Sequence, residues 1–91
     1  MSVYFVYILE VVAKSGKNMF YTGYTNNLYR RWKEHRNGTG AKFCRGKKSV
    51  ELRYFETFSN RNEAMNRELE IKSFSRQKKR DLINNALNSK K

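Results

Sequence analysis

The chain has few of the residues that hold small folds together covalently or through metals. Its 91 residues include one cysteine, Cys44, and one histidine, His35. A lone cysteine cannot form an intramolecular disulfide, and one Cys with one His cannot build a zinc site. The fold must therefore rest on packing and hydrogen bonding.

Long apolar segments are missing as well. No apolar run reaches the roughly 20 residues that a membrane-spanning helix needs. The chain enters an apolar segment at Val3 without the basic leader and cleavage site of a signal peptide. We therefore expect an intracellular protein, in the cytoplasm or nucleoid, without membrane contact. Because no repeat, linker or low-complexity stretch interrupts the sequence, we expect one domain over residues 1–88 and a frayed tail over residues 89–91.

Acidic residues are also few. Eight Asp and Glu stand against twenty Lys and Arg, a formal net charge of +12. Such an excess attracts polyanions, nucleic acid first, and makes binding depend on salt. The basic residues are spread along the chain, which favours a basic surface over a basic tail. Charge alone leaves open a ribosome-associated or merely soluble basic protein.

The apolar and turn pattern predicts an α+β domain: a small three-stranded antiparallel sheet flanked by helices, in the order β-β-α-β-α-α. Residues 3–12 are apolar on both faces, which is typical of a central strand covered on both sides. A polar turn leads to a returning strand over residues 19–23, which is predicted to end at Gly23. The first helix is predicted to run from about Asn27 to His35.

The second half of the chain predicts one strand and two helices. In the third strand, residues 50–58, four side chains are expected to share one face while Val50 is left out: Leu52, Tyr54, Glu56 and Phe58. Asn60 is predicted to cap the second helix and Ser75 the third. An apolar arc is predicted on the second helix: Ala64, Met65, Leu69 and Ile71.

The segment from Tyr21 to His35 carries the densest functional signal. It reads as strand, turn and helix, with Arg31 and His35 one helical turn apart. A hairpin between the first two strands would set Tyr7 and Tyr21 on adjacent strands, where their hydroxyls can approach each other. Each tyrosine alone is also typical of an ordinary strand. Together with the guanidinium and the imidazole, they suit a phosphate-binding site.

The motifs Phe5-Val6-Tyr7 and Tyr21-Thr22-Gly23, with Arg31 ten residues after Tyr21, resemble the GIY-YIG nuclease domain. The tract is most similar to the small stand-alone, UPF0213-like members. Phe5-Val6 stands in place of Gly-Ile, Thr22 in place of the second motif's Ile, and the segment 14–18 is slightly long. The resemblance covers nearly the whole chain. It implies a metal-dependent endonuclease acting on DNA, with RNA not excluded.

Glu68 falls inside the apolar arc of the second helix, four residues from Ala64. A carboxylate facing inward is costly unless something pairs with it. Two interpretations are open: an ion pair with an inward-reaching base such as Arg31, or a ligand for a divalent cation. The position of Glu68 also matches the glutamate that holds the metal in the GIY-YIG family, which favours the ligand. The ion would be Mg²⁺ or Mn²⁺, which take oxygen ligands.

The resemblance also implies catalytic roles. Tyr7 would take a proton from the attacking water, Tyr21 would orient or relay that water, and Arg31 would contact the non-bridging phosphate oxygens. His35 would bind phosphate, shuttle a proton or simply cap the first helix. Because a tyrosine pKa is ordinarily about 10, Tyr7 needs positive charge nearby to act as a base at neutral pH.

Basic residues of the first helix and the following glycine-punctuated loop are expected to contact the nucleic-acid backbone: Arg30, Lys42, Arg45, Lys47 and Lys48. Phe43 either stacks on a base or anchors this loop in the core. The asparagine that usually completes the family's site is open between Asn84 and Asn85.

Two questions remain open on the sequence alone. Without an appended module, the protein is expected to be weakly selective or guided by a protein partner that supplies the choice of substrate. The alternative to an enzyme is a nucleic-acid-binding module that keeps the fold but has little activity. Intact Tyr7, Tyr21, Arg31 and Glu68 argue against it, because binding alone requires none of them.

Overall fold

The computed structural model describes residues 2–40, Cys44 and residues 46–88, with the backbone alone for Asn88. The elements follow the predicted order: β1 (Tyr4–Val12), β2 (Asn18–Thr25), α1 (Leu28–Arg36), β3 (Ser49–Phe58), α2 (Arg61–Lys72) and α3 (Arg76–Asn88). The predicted α+β class is confirmed. The tail predicted for residues 89–91 lies outside the described residues.

The sheet is antiparallel with the order β2-β1-β3, so the apolar first strand is central as predicted. Val6 and Ile8 project to one face, where they pack with apolar residues of α2 and α3. Tyr7, Leu9 and Val11 project to the other face, where Leu28 and Trp32 of α1 pack on them. The two apolar faces of β1 are thus covered by different helices, and among the described helices it is α1 that packs on the Tyr7 face.

Side-chain caps fix the starts of all three helices as the sequence predicts. The Asn27 side-chain oxygen accepts a hydrogen bond from the Arg30 amide at 3.0 Å at the start of α1. The Asn60 oxygen accepts from two amides of the first turn of α2. The Ser75 hydroxyl accepts from the Lys78 amide at 3.1 Å at the start of α3. Each cap satisfies donors that a helix cannot pair internally.

A bulge in β3 overturns the predicted strand face. Ile8 pairs with Tyr54 but Leu9 pairs with Leu52, so Arg53 is an extra residue between two paired positions. One extra residue moves every later side chain to the opposite face of the strand. Leu52 therefore packs with Val50 on the Tyr7 face, and Tyr54 and Phe58 pack on the opposite face. Period-two alternation alone cannot locate such a bulge.

Two further predictions are wrong in detail. Gly23 does not end β2, which continues to Thr25. On α2, only Ala64 and Ile71 are buried, whereas Met65 is 37% exposed and Leu69 62% exposed. The buried face of α2 is therefore narrower than the predicted arc, because Met65 and Leu69 lie at its solvent-exposed edges. None of the helices in the described part of the chain is long and apolar enough to cross a bilayer.

Candidate active site

The centre of the candidate site is a buried contact between β1 and α1. The Tyr7 hydroxyl lies 2.9 Å from Nε2 of His35. Tyr7 is 2% exposed and His35 is fully buried. His35 reaches this position because it shares the inward face of α1 with Leu28, and Asn37 rather than the imidazole caps the helix end. The alternative in which His35 simply caps α1 is therefore wrong.

Two glycines leave the space that this pair occupies. Gly23 pairs with Tyr7 across the β1–β2 ladder, and a Cβ there would lie 2.5 Å from the Tyr7 hydroxyl oxygen. A Cβ on Gly40 would lie 2.5 Å from Nδ1 of His35. Both distances are far below van der Waals contact. The glycine of the second motif thus serves close approach of the Tyr7 phenol, and not the end of the strand.

Tyr21 and Arg31 border the pair. Tyr21 pairs with Leu9, which puts its ring on the same face as Tyr7, and its ring centroid lies 5.1 Å from that of His35. Arg31 donates from Nη1 to Oε1 of Glu34 at 3.1 Å. The predicted meeting of the two tyrosines, the arginine and the histidine is thus seen in the structure.

Burial and charge set the protonation states here. Burial raises the pKa of Tyr7 well above its ordinary value, the Tyr21 phenol adds to the rise, and hydrogen bonding to Arg31 opposes it. Burial raises the pKa of Tyr21 as well, while Arg31 opposes the rise. The pKa of His35 is lowered by burial and by the Arg31 charge. At neutral pH the phenols are protonated and the imidazole is neutral, and in the tautomer with its proton on Nδ1 the Nε2 atom can accept the Tyr7 proton.

Glu68 lies near Tyr21 on the α2 side. Its side chain is only 15% exposed, and its charge contributes to the raised pKa of Tyr21. Its ionic partner is Lys72, with Nζ 3.7 Å from Oε1, and not Arg31 as one of the two interpretations had it. Lys72 is one helical turn from Glu68, so this pairing follows from sequence spacing.

A single carboxylate can hold Mg²⁺ or Mn²⁺ only if other groups supply the remaining ligands. Within residues 2–40, 44 and 46–88, no group of three or more His, Cys, Asp or Glu side chains could enclose a metal. Mg²⁺ is often held by one or two carboxylates, with water and substrate phosphate as the other ligands. The largely buried Glu68 carboxylate beside the Tyr21 phenol fits that kind of site.

Cys44 is a neighbour of the site that no sequence motif predicts there. Its thiol is 2% exposed and packs with Tyr7, Leu9 and Val11. Burial raises its pKa, whereas Lys47 and Arg31 lower it, so Lys47 lies near the same pocket. A thiol that keeps its proton adds apolar surface around Tyr7 without adding charge.

The residues predicted to contact nucleic acid are distributed around this site. Arg30 is exposed on α1, Lys47 is half-buried beside Cys44, and Lys48 is exposed just before β3. The predictions for Lys42, Phe43 and Arg45 fall outside the described residues: they concern the α1–β3 connection. Their roles stay predictions.

The two candidate asparagines lie away from Tyr7. Asn84 borders a groove with Glu10 and Arg53 on the α3 side of the sheet, and Asn85 is exposed. Tyr7 projects to the other side. Neither asparagine is joined to the Tyr7–His35 pair by any contact in the described structure, and the choice between them stays open.

Comparison with known proteins places this geometry in a family. A family model described as the GIY-YIG catalytic domain matches residues 3–81. The chain belongs to the GIY-YIG family. The resemblance seen in the two tyrosine motifs is thereby confirmed, and with it membership of a nuclease family.

Among the GIY-YIG relatives are several UPF0213 proteins. The UPF0213 protein CPE1444 of Clostridium perfringens is 49% identical over 79 residues, which cover 87% of this chain and 81% of that protein. The UPF0213 protein HQ_3675A of Haloquadratum walsbyi is 47% identical over 87% of this chain and 84% of its own. The solution NMR structure of the UPF0213 protein BH0048 from Bacillus halodurans is 43% identical, with a TM-score of 0.52, over 90% of this chain and 83% of that one.

Proposed function

We propose that this GIY-YIG protein is a Mg²⁺- or Mn²⁺-dependent endonuclease that hydrolyses phosphodiester bonds in DNA. The observation that carries the proposal is the buried hydrogen bond between Tyr7 and His35, with Arg31 and Tyr21 beside it. A fold kept only for binding has no need to bury a phenol–imidazole pair next to an arginine. Burying polar groups is costly, and their arrangement here suits proton transfer.

The Tyr7–His35 contact supplies a route for the proton of the attacking water. Because its pKa is raised, Tyr7 is a neutral phenol and not a phenolate at neutral pH. It can accept a proton from water while it passes its own proton to a neutral imidazole 2.9 Å away. In this relay Tyr7 is uncharged before and after the step, and His35 is the final acceptor. Tyr21, next to the same imidazole, would orient the water.

Arg31 is placed to stabilise the charge that develops on the phosphate. Its side chain is 36% exposed, so its guanidinium reaches the surface while hydrogen bonding ties it to Tyr7 and Glu34. A planar guanidinium can contact two phosphate oxygens at once. Glu34 would hold Arg31 in this position, which makes Glu34 a positioning residue.

Glu68 would hold the divalent ion. When bound, the ion would polarise the phosphate and neutralise charge on its oxygens. Lys72 forms an ion pair with the Glu68 carboxylate in this structure, and the metal ion would have to displace it. With a single protein carboxylate, the other ligands would be water and substrate phosphate, so the ion would bind more tightly when the substrate is present.

The rest of the protein suits a polyanionic substrate. The net charge of +12 attracts DNA, and we propose backbone contacts for five residues: Arg30, Lys42, Arg45, Lys47 and Lys48. RNA has the same phosphate charge, and a protein partner is the proposed source of substrate choice. We propose an intracellular setting without membrane contact.

The test is cleavage of nicked, single-stranded and branched DNA with Mg²⁺, with Mn²⁺ and with EDTA. We expect metal-dependent cleavage by the natural protein and its loss in Glu68→Gln, which keeps the shape of the side chain but removes the charge. DNA affinity in EDTA should be unchanged by that substitution.

The matched control is Glu63→Gln, on the exposed first turn of α2. It makes the same change of net charge and should cut normally. If the natural protein binds DNA but cuts none of the substrates with either metal, the protein is a binding module and the proposed activity is wrong.

A further inference from the structure

A second surface feature lies outside the candidate active site. An open groove of about 510 Å³ runs between α1 and the outer strand β3. Its walls are almost entirely apolar, with two neighbouring amides, Asn26 and Asn27, at one end. The apolar walls come from five residues: Phe5, Leu28, Tyr29, Trp32 and Leu52.

The groove and the active site lie on opposite flanks of α1. At about 100° per residue, Tyr29 is about 160° from Arg31 around the helix axis. The active site uses Tyr21 on β2, whereas the groove uses Leu52 on β3, and β1 separates these two strands. None of the groove residues belongs to the proton relay or to the proposed metal site, so its function must be sought separately.

Aromatic rings and cations alternate along the edge of this groove. The Tyr29 and Trp32 ring centroids are 6.1 Å apart. Lys33 lies over the Tyr29 ring at 5.5 Å, and Arg36 lies over the Trp32 ring at 5.3 Å. Tyr29 is 67% exposed although its ring is apolar. An exposed ring beside a half-buried one, with cations next to both, forms the kind of surface on which bases of single strands stack while phosphates are neutralised.

The positive charge beside the groove favours a negatively charged ligand. None of the described residues that line it is acidic, and α1 places Lys33 and Arg36 beside its aromatic rings. A second copy of this chain would bring its own +12 charge against these cations. A nucleic-acid strand brings flat apolar bases and negative phosphates together, so it complements both the walls and the rim.

We propose that this groove binds unpaired nucleobases of the DNA strand, by stacking on Tyr29 and Trp32. The proposal deepens the proposed nuclease function by adding a preference for unpaired or frayed DNA next to the site of cleavage. Lys33 and Arg36 would contact the phosphates of the same strand. Asn26 would supply polar contacts to base edges.

Trp32 makes the proposal directly measurable, because it is the one tryptophan in the chain. A base stacked on its indole should quench its fluorescence. The full protein is titrated in EDTA, where no cleavage occurs, with an oligothymidine, with an abasic oligonucleotide of the same length and with a blunt duplex. We expect saturable quenching by the oligothymidine and little by the other two.

Two substitutions at Tyr29 test the stacking surface. Tyr29→Leu should weaken oligothymidine binding about tenfold, the usual effect of losing one stacked base. Tyr29→Phe keeps the ring and should bind normally. Because Tyr29 is mostly exposed, neither change should disturb the core.

Three outcomes would overturn this inference. Equal quenching by the abasic strand would show that only the phosphates are bound. Metal-dependent cleavage of duplex DNA without any quenching by oligothymidine would show that the groove does not bind bases, while the proposed nuclease function would still hold. Self-association that Tyr29→Leu abolishes, measured by sedimentation, would assign the groove to a second copy.

Discussion

The Tyr7 hydroxyl and Nε2 of His35, 28 residues apart in sequence, lie 2.9 Å apart with no access to solvent around the imidazole. The contact joins the central strand of the sheet to the last turn of α1. Each partner satisfies the other's polar atom in the core, which reduces the cost of burying both. The same contact therefore stabilises the fold and is also proposed to act in catalysis. Measurements of stability and of cleavage can separate these two roles.

Stability should fall in mild acid because of His35. Burial lowers its pKa in the folded protein, so the unfolded chain, with a pKa of about 6.5, binds the proton more readily. The contribution is complete above about pH 6.5 and is lost as the pH falls, by at most about 1.4 kcal/mol per pH unit. Urea unfolding from about pH 7.5 to about pH 5 measures it.

The comparison variant is His35→Gln, which replaces the imidazole by a polar amide that cannot titrate. Its stability should change little over that range, so the two curves should converge as the pH falls. Glu10 and Glu56, whose pKa values are lowered, affect stability only below about their ordinary value of 4.5. Parallel curves would show that His35 is not the buried neutral group described here.

Gly23→Ala should lose both stability and activity. The new Cβ would lie 2.5 Å from the Tyr7 hydroxyl oxygen, so the phenol or the strand must move. We expect a loss of about 1–3 kcal/mol in the free energy of unfolding and a large loss of cleavage. Urea unfolding and single-turnover cleavage check the two effects.

Gly16→Ala is the contrasting variant. Gly16 has φ +93°, which disfavours alanine, but its Cβ would meet nothing within 4 Å. It should lose about 1 kcal/mol of stability and cut normally. Normal cleavage by Gly23→Ala would mean that the close approach to Tyr7 is not needed for activity.

Thr22→Val should stabilise the protein. Within the described residues, the buried Thr22 hydroxyl oxygen has no hydrogen-bond partner. Valine has almost the same shape and removes the unpaired group, so we expect a gain of about 1 kcal/mol in urea unfolding with unchanged cleavage. Lower stability would show that the hydroxyl is satisfied, by water or by another group.

Lys72→Met should strengthen Mn²⁺ binding severalfold in calorimetric titration without DNA. Lys72 lies 3.7 Å from the Glu68 carboxylate and competes for it. Lys48→Met, which changes the net charge equally at an exposed site before β3, should have a smaller effect. Equal effects of the two substitutions would show that Lys72 acts only through the overall charge of the protein.

The sequence was sufficient to predict the order of elements, the central strand and the helix starts. Apolar runs predict buried strands, and the capping residues Asn27, Asn60 and Ser75 predict helix starts. Both signals are local, because burial patterns and caps involve residues close together in sequence. The β3 bulge at Arg53 arises from pairing between strands that are distant in sequence. No local pattern marks it.

In the candidate site, too, local spacings could be predicted from the sequence, whereas contacts between distant segments could not. The spacing of Arg31 and His35 on one helix predicts that they lie together, and the i, i+4 spacing of Glu68 and Lys72 is a local signal for the ion pair seen in the structure. The contact of His35 with Tyr7 and the closeness of Gly40 to the imidazole depend on how α1 packs on β1. The sequence around Gly40 predicts a loop but no approach to His35.

The most direct test of the proposed catalytic site is single-turnover DNA cleavage by Tyr7→Phe with saturating Mn²⁺. This variant removes one oxygen, keeps the ring and breaks the contact with His35. Tyr4→Phe, the same change in the same strand on the opposite face, is the control. DNA affinity and urea unfolding are measured for both.

We expect Tyr7→Phe to bind DNA as the natural protein does, to lose about 1–2 kcal/mol of stability and to cut at least 100-fold more slowly. Tyr4→Phe should cut at the normal rate. Cleavage by Tyr7→Phe at the rate of Tyr4→Phe would contradict the proton relay and leave the Tyr7–His35 hydrogen bond as a structural contact only.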